Sequence, residues 1–286
     1  MFNEFVLDAS AESLAGYHWH AGEPDCVVCL VHGIGEHAGR YGRMAAMFGA
    51  SRIDVLSVDL RGHGCSPGVR GHCAPRRVVL SDVDSLLRYA ESRYPGKPLV
   101  LYGHSMGGNI VLDFMVRGTL SAKPCAYVIS SPWIELVNKA PQLAYGFIKA
   151  MSLAKPDFLV GSGIKPEYLG NPEIIEAEKR AELVHRCISL ETVADCIGVG
   201  KALVKGKLKG NGGGLGKPML VMHGSGDKIC SIDSTRKFAS LQGGNCTYVE
   251  WEGYFHEIHN GNSEKDGKEV IEAAIEWIRR LPELSG

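Results

Sequence analysis

Short, nearly continuous apolar runs alternate with helix-period segments along most of this chain, and few folds accept that alternation. The runs are Cys26–His32, Asp54–Asp59, Leu99–Tyr102, Tyr127–Ser130, Met219–His223 and Thr247–Trp251. Runs of this kind fit strands of a parallel sheet covered on both faces. Phe5–Leu7 and Leu14–His20 read as an opening antiparallel pair. Helical patterns fall at Arg40–Ala50, Val78–Arg93, Met106–Arg117, Ser234–Leu241 and Lys265–Arg280, the second stopped by Tyr94-Pro95-Gly96. The last places Val270, Ile271, Ala274, Ile275 and Ile278 on one stripe. The expectation is an α/β fold with a mostly parallel, doubly wound sheet.

The alternation breaks between Trp133 and about Lys217, where a mostly helical stretch is punctuated by Pro141, Pro156, Pro166 and Pro172. It is too long for a simple connection and reads as an inserted helical cap. The organisation expected is a first core part at 1–132, a cap at 133–209 and a second core part at 210–286. Gly210-Asn211-Gly212-Gly213-Gly214-Leu215-Gly216 lacks the Lys-Ser/Thr of a phosphate loop and reads as a flexible return linker.

The 286 residues suffice for a substantial core without disulfides or metals. A formal net charge of −1 gives no reason to expect nucleic acid as a partner. Nine cysteines, an odd number, are scattered along the chain, and Cys26, Cys29 and Cys125 lie inside apolar runs. That usage suggests a reducing compartment. Cys26 and Cys29 have C-x-x-C spacing, but on a strand residues three apart face opposite ways, so they are expected to be inert. Met1-Phe2-Asn3-Glu4-Phe5 shows neither a basic n-region nor an apolar h-region, and no run approaches a membrane span. A cytoplasmic location is expected.

The strongest local signal is Gly103-His104-Ser105-Met106-Gly107-Gly108, which follows the strand run Leu99–Tyr102 and opens a helical run. G-x-S-x-G between strand and helix is a nucleophile elbow: a sharp turn presents the hydroxyl at a helix N-terminus. A serine hydroxyl needs a base, and the chain order of such sites is Ser, then an acid, then His. Asp227 follows the run ending at His223, and His256 follows the run ending at Trp251, so both sit on loops at strand carboxyl ends. Asp233 is the nearest competing acid. The Gly-rich turn His32-Gly33-Ile34-Gly35 after the first parallel run allows the backbone N–H groups of Ile34 and Met106 to receive an oxyanion. His104 is expected to point away from Ser105 into the scaffold.

At these residues the sequence resembles the monoacylglycerol lipases and their lysophospholipase-like relatives, serine hydrolases of the α/β-hydrolase fold. The resemblance runs through His32-Gly33-Ile34-Gly35-Glu36-His37 with Arg40-Tyr41, Asp59-Leu60-Arg61-Gly62-His63-Gly64-Cys65-Ser66, Gly103 to Gly108, and Gly253-Tyr254-Phe255-His256-Glu257-Ile258-His259. It covers both core parts, roughly two-thirds of the chain. The cap matches mainly in position and length, with Leu183–Ser189 its closest stretch. The resemblance implies cleavage of single-chain lipid esters through an acyl-enzyme, with no cofactor and no metal. It also implies that Glu36, Arg40 and His259 line an alcohol-side pocket; ion pairing and turn stabilisation are the competing roles. Asp59, Arg61 and His63 read as a brace for their loop. His256-Glu257-Ile258-His259 lacks zinc-site spacing.

In the cap, Leu136, Ala140, Leu143, Ala144, Phe147, Ile148 and Met151 recur at helical spacing. This stripe either packs on the core or faces Ser105 as an acyl groove, with Phe147 and Met151 as substrate contacts, and the cap could touch a membrane surface transiently. Two other classes stay open: an acyltransferase, thioesterase or perhydrolase with the same three residues, and a binding protein on the same scaffold. A dehalogenase-like Asp nucleophile is disfavoured, because the elbow carries Ser105.

Overall fold

The computed structural model describes residues 2–9, 12–138, 142–178 and 181–284. Eight strands form one sheet: β1 (Phe2–Asp8), β2 (Ser13–Trp19), β3 (Cys26–Val31), β4 (Ile53–Val58), β5 (Leu99–His104), β6 (Ala126–Ser130), β9 (Met219–Gly224) and β10 (Cys246–Trp251). Their order is β1-β2-β4-β3-β5-β6-β9-β10. The first two are antiparallel to their neighbours and the other six are parallel, as the runs of the sequence imply.

The strands bury two faces because the apolar runs leave no polar side. On β3, Cys26, Val28 and Leu30 pack with α1 (Gly42–Ala50) and α8 (Lys268–Arg279). Val27, Cys29 and Val31 turn the other way, toward α2 (Arg76–Arg93) and α3 (Met106–Arg117). Cys26 and Cys29 therefore lie on opposite faces, and burial pushes both thiols up to about 12. All nine cysteines are free. The stripe on α8 is buried at each of its five positions. α7 (Ile232–Ser240) packs on β9 and β10.

Between β6 and β9 the chain leaves the sheet and returns beside its point of departure, since those two strands are hydrogen-bonded neighbours. The intervening segment holds α4 (Gln142–Ala154), α5 (Pro172–Glu178) and α6 (Leu190–Leu203). It also holds a small antiparallel pair, β7 (Leu159–Gly161) with β8 (Cys187–Ser189). Three-residue strands carry too little periodicity to be read from sequence. α6 lies over α3, where Asn109 of α3 donates its side-chain N–H to the carbonyls of Trp133 (2.7 Å) and Cys196 (3.1 Å).

The segment is also pinned to the two loops at the carboxyl edge of the sheet. His185 N–H donates to the Gly35 carbonyl at 3.0 Å. The N–H groups of His256 and Glu257 donate to the carbonyls of Tyr168 (3.2 Å) and Leu169 (2.6 Å). No helix among the described residues is long and apolar enough to cross a membrane.

Candidate active site

Ser105 sits between β5 and α3 with φ 55° and ψ −117°, a left-handed conformation that is strained for a residue with a side chain. The elbow needs glycine beside it. A Cβ on Gly107 would stand 2.0 Å from the Val31 carbonyl oxygen, so only a hydrogen there lets α3 start this close to β3. The Ser105 N–H donates to the Ser130 carbonyl (3.0 Å), and its own carbonyl accepts from Trp133 N–H (2.9 Å). These bonds hold the strain in place.

Three sequence-distant side chains converge at this point. His256 Nε2 lies 2.8 Å from Ser105 Oγ, and His256 Nδ1 lies 2.7 Å from Asp227 Oδ2. With the Nδ1 proton held toward the carboxylate, Nε2 is left to accept from the serine hydroxyl. Burial works against a charged imidazole, but the Asp227 carboxylate, with Glu257 and Glu36 nearby, outweighs it and raises His256 above its ordinary value. Burial alone would push Asp227 up; His256 and hydrogen bonding reverse this and hold it well below the usual carboxylate range. Its Oδ1 accepts from the N–H groups of Ile229 (2.7 Å) and Cys230 (3.0 Å). Its Oδ2 also meets His223 Nε2 at 3.0 Å. Asp233 is exposed on α7, where it pairs with Arg236 at 2.8 Å, and has no part in this cluster.

Two of the surrounding residues carried no sequence signal. His223 ends its strand run pointing at Asp227, and its other nitrogen meets Thr235 Oγ1 at 2.9 Å. Cys230 is buried and lines a cavity together with Ser105, and burial keeps its thiol well above its ordinary value. Ligand atoms of Asp227, Cys230 and His256 lie within 4.8 Å of one another. In this arrangement both nitrogens of His256 are committed, one to Ser105 and one to Asp227.

The turn after β3 brings backbone N–H groups to the same place. Met106 is the first residue of α3, so its N–H has no acceptor within the helix. Ile34 lines both cavities beside Ser105. A Cβ on Gly33 would lie 3.2 Å from Ser105 Cβ, which shows how closely the turn approaches. His32 braces it: Nδ1 meets the Gly33 carbonyl (2.8 Å) and Nε2 accepts from Leu60 N–H (2.9 Å). Burial pulls this imidazole down to about 4, so it stays neutral and keeps both bonds.

Glu36, Arg40 and Glu257 form a buried ionic cluster. Arg40 makes a bidentate pair with Glu257 at 2.9 Å and donates to Glu36 at 2.9 Å. Glu36 also accepts from Gly33 N–H (2.6 Å) and the Tyr41 hydroxyl (2.9 Å). Burial would raise Glu257, but the Arg40 guanidinium prevails and holds it well below its ordinary range. Burial and the neighbouring Glu257 raise Glu36 against the pull of Arg40. Glu36, Arg40 and Glu257 line a cavity of about 120 Å³ with His185 and Arg186.

His259 is not part of that lining. It is stacked on Tyr41 (5.1 Å between centroids) and set edge-on to His104 (5.1 Å), and burial lowers it to about 3. His104 meets Ser130 Oγ at 3.2 Å, with its ring 5.0 Å from that of His256, and it does border the small cavity. Asp59 caps the N–H groups of Ala38 and Cys65 at 2.7 Å, Arg61 pairs with Asp82 at 2.8 Å, and His63 meets the Arg61 carbonyl at 3.1 Å. Each of these contacts is internal to the scaffold.

A larger cavity of about 300 Å³ opens on the other side of Ser105, lined by Trp133, Leu136, Val160, Ile188, Val193 and Ile229 among others. The expectation for Phe147 and Met151 needs correction here. Neither lines either cavity at Ser105, and Phe147 is 68% exposed. α4 turns its other side to α6, where Lys201 Nζ lies 3.6 Å from the ring centre of Tyr145. Of the remaining stripe, Leu136 lines the large cavity, and Ala140 lies outside the described residues.

Known proteins resemble this chain over most of its length. The family model described as Serine aminopeptidase, S33 matches residues 22–263. The chain is similar to phospholipase YtpA of Bacillus subtilis, 30% identical over 90% of this chain and 96% of that protein. It is 28% identical to an abhydrolase domain-containing protein of Dictyostelium discoideum over 96% of this chain, which spans only 28% of that longer protein. The crystal structure of Paleococcus ferrophilus monoacylglycerol lipase superposes with a TM-score of 0.79 at 28% identity, covering 93% of this chain and 98% of that one.

Proposed function

The chain belongs to the family described as Serine aminopeptidase, S33, and from that premise we propose how this carboxylic ester hydrolase works and which residues carry the reaction. Ser105 is the nucleophile, His256 its base and Asp227 the group that orients His256. The observation that supports this most directly is the unbroken contact from Ser105 Oγ through His256 to Asp227, at 2.8 and 2.7 Å, beneath a serine held at φ 55°.

Ser105 Oγ attacks the ester carbonyl as its proton passes to His256 Nε2. The Ile34 and Met106 N–H groups receive the oxyanion, each contributing a few kcal/mol of transition-state stabilisation. His256 then protonates the departing alcohol, and water, deprotonated by the same imidazole, releases the acid. Asp227 stays ionised throughout; its low pKa and four hydrogen-bond contacts suit that role.

The substrates are single-chain lipid esters; the Paleococcus relative is named a monoacylglycerol lipase and the Bacillus relative a phospholipase. The apolar chain occupies the larger cavity and the alcohol head the smaller one, where Glu36, Arg40 and Glu257 stand. Residues 133–209 act as a cap that supplies the apolar wall, and 1–132 with 210–286 form the core. Phe147, Leu153 and Phe158 are exposed apolar side chains of that cap and suit brief contact with a lipid surface. Free cysteines throughout favour a cytoplasmic setting.

Ser105→Ala tests the reading on a chain-length series of monoacylglycerols, lysophospholipids and nitrophenyl esters. Turnover should fall by a factor on the order of 10⁶ with melting temperature unchanged. Retention of more than about a hundredth of the rate, on the same scale, would remove Ser105 from the mechanism. Aminoacyl amides serve as the contrasting substrate, because an amidase would cleave them in preference to the esters.

A further inference from the structure

At the other end of the sheet, four polar side chains meet at one point, and none of them belongs to the site around Ser105. β2 and β4 pair antiparallel with Trp19 opposite Val55, so the next step of the register sets His20 opposite Asp54. His18 and His20 are two apart along the strand direction and project to the same side. Tyr94, at the C-terminal end of α2, closes the group from above. Asp54 is the second residue of β4, whereas Ser105 follows the last residue of β5. In register, Asp54 is level with Leu99, so the two clusters stand roughly 20 Å apart along the strands at ~3.3 Å per residue.

We propose that His18, His20 and Asp54, with Tyr94 at the fourth position, form a binding site for a divalent transition-metal ion, zinc by preference. Tyr94 Oη donates to Asp54 Oδ2, and the four ligand atoms are held together by polar contacts that an ion would replace. His18 Nε2 is 3.0 Å and His20 Nδ1 3.7 Å from Asp54 Oδ2, and Tyr94 Oη is 2.8 Å from His18 Nε2 and 3.4 Å from His20 Nδ1. For tetrahedral zinc with ligands at about 2.0–2.1 Å, neighbouring ligand atoms are separated by about 3.4 Å, within the observed spread. Two imidazoles and one carboxylate are also a donor set of the right chemistry, since zinc accepts both nitrogen and oxygen.

Outer contacts orient the ligands as such sites require. The second carboxylate oxygen of Asp54 accepts from Ala21 N–H at 2.6 Å, which aims Oδ2 at the histidines. The Asn3 side-chain amide donates to His20 Nε2 at 3.1 Å and holds the ring with Nδ1 toward Asp54 and Tyr94. The rings of His18 and His20 stand 3.4 Å apart between centroids. A bound ion would clamp the edge strands β1 and β2 to β4 and to the end of α2.

The test uses the intact protein stripped with a chelator, then titrated with Zn²⁺ in competition with a chromophoric chelator. One ion should bind at least tenfold more tightly to wild type than to His20→Ala. The melting temperature should rise by several degrees in wild type only, while ester turnover stays unchanged. Co²⁺ in place of Zn²⁺ should give a visible four-coordinate spectrum without thiolate charge transfer. His20→Gln, which keeps a polar side chain at this partly exposed position, replaces His20→Ala should the latter not fold, and carries the same expectation. Equal binding by wild type and the His20 variant, absence of binding, or a thiolate band in the cobalt spectrum would each overturn the site. Zinc inhibition of turnover in step with binding would likewise overturn it, by placing the ion at Asp227, Cys230 and His256.

Discussion

α3 and α4 are of nearly equal length, 12 and 13 residues, and both are rich in apolar side chains, yet they meet opposite fates. From Met106 to Val116 every residue of α3 is buried between the sheet and α6. On α4, Phe147 is 68% and Leu153 83% exposed. Composition does not separate them; what lies on either side does. α3 begins at the strained Ser105 and cannot shift without moving the nucleophile, whereas α4 rests on another helix and leaves apolar surface free. On the proposed reading, the chemistry rests on the layer packed against the sheet, and α4 presents apolar surface in the layer above it.

Changing Asp227 to Asn breaks the comparison hardest from the side of the immobile layer. The imidazole would lose its orienting carboxylate, and kcat should fall by about 10⁴-fold with substrate affinity retained. A stability profile should move with it. The folded-state pKa of Asp227 lies below its unfolded one, so its contribution is present above about pH 4 and fades as pH falls toward the folded value. The Asn variant should lack that acid-side dependence; a larger loss from Asp233→Asn would reassign the acid.

Arg40→Met, next in size, removes the cation that buried Glu36 and Glu257 share. It should cost about 3–5 kcal/mol in chemical denaturation, because Glu36 and Glu257 would be left facing each other without compensation. Rescue by Glu257→Gln in the same chain would mark the cost as electrostatic rather than steric.

A pH profile gives a smaller, graded effect. Only neutral His256 can take the serine proton, and its raised pKa puts the acid limb of kcat/KM above the value of an ordinary histidine. Below that limb activity should drop about tenfold per unit, the slope of a single protonation. A midpoint at or below about 6.5, the unperturbed histidine value, would contradict the Asp227 contact.

The smallest change tests the upper layer. Phe147→Lys should alter stability by less than about 0.5 kcal/mol, as exposed positions do, and leave acetate esters untouched. Val193→Lys, in the larger cavity, should spare acetate but penalise each added methylene, which otherwise contributes roughly 0.8 kcal/mol on burial. Equal effects of the two lysines on long-chain esters would erase the distinction between cavity wall and outer surface.

The core was legible because its signals are local and redundant: continuous apolar runs, a glycine-flanked serine, and loops following strands. The positions of Ser105, Asp227 and His256 could be named in advance since each lies at a strand end. What escaped was three-dimensional. His223 and Glu257 look like ordinary polar residues until the fold brings Asp227 to one and Arg40 to the other. The α4 stripe showed the right period, but period alone does not say which neighbour a helix face meets, and Phe147 turned outward. The β7–β8 pair was too short to leave a pattern. His259 was assigned a pocket by resemblance, whereas in the fold its ring packs between Tyr41 and His104.

The point at which the chain leaves and rejoins the sheet has a consequence for how such proteins diversify. β6 and β9 pair directly, with Ser130 beside Met222, and Ser131 N–H donates to the Met222 carbonyl at 2.8 Å. The sheet is therefore continuous across the junction, and the excursion between the two strands contributes none of its rungs. A replacement segment would have to supply carbonyls to the His256 loop and to Asn109, and an N–H to Gly35. Substrate preference can then drift from one lineage to another at the pace of the excursion, while the reacting atoms beneath are inherited unchanged.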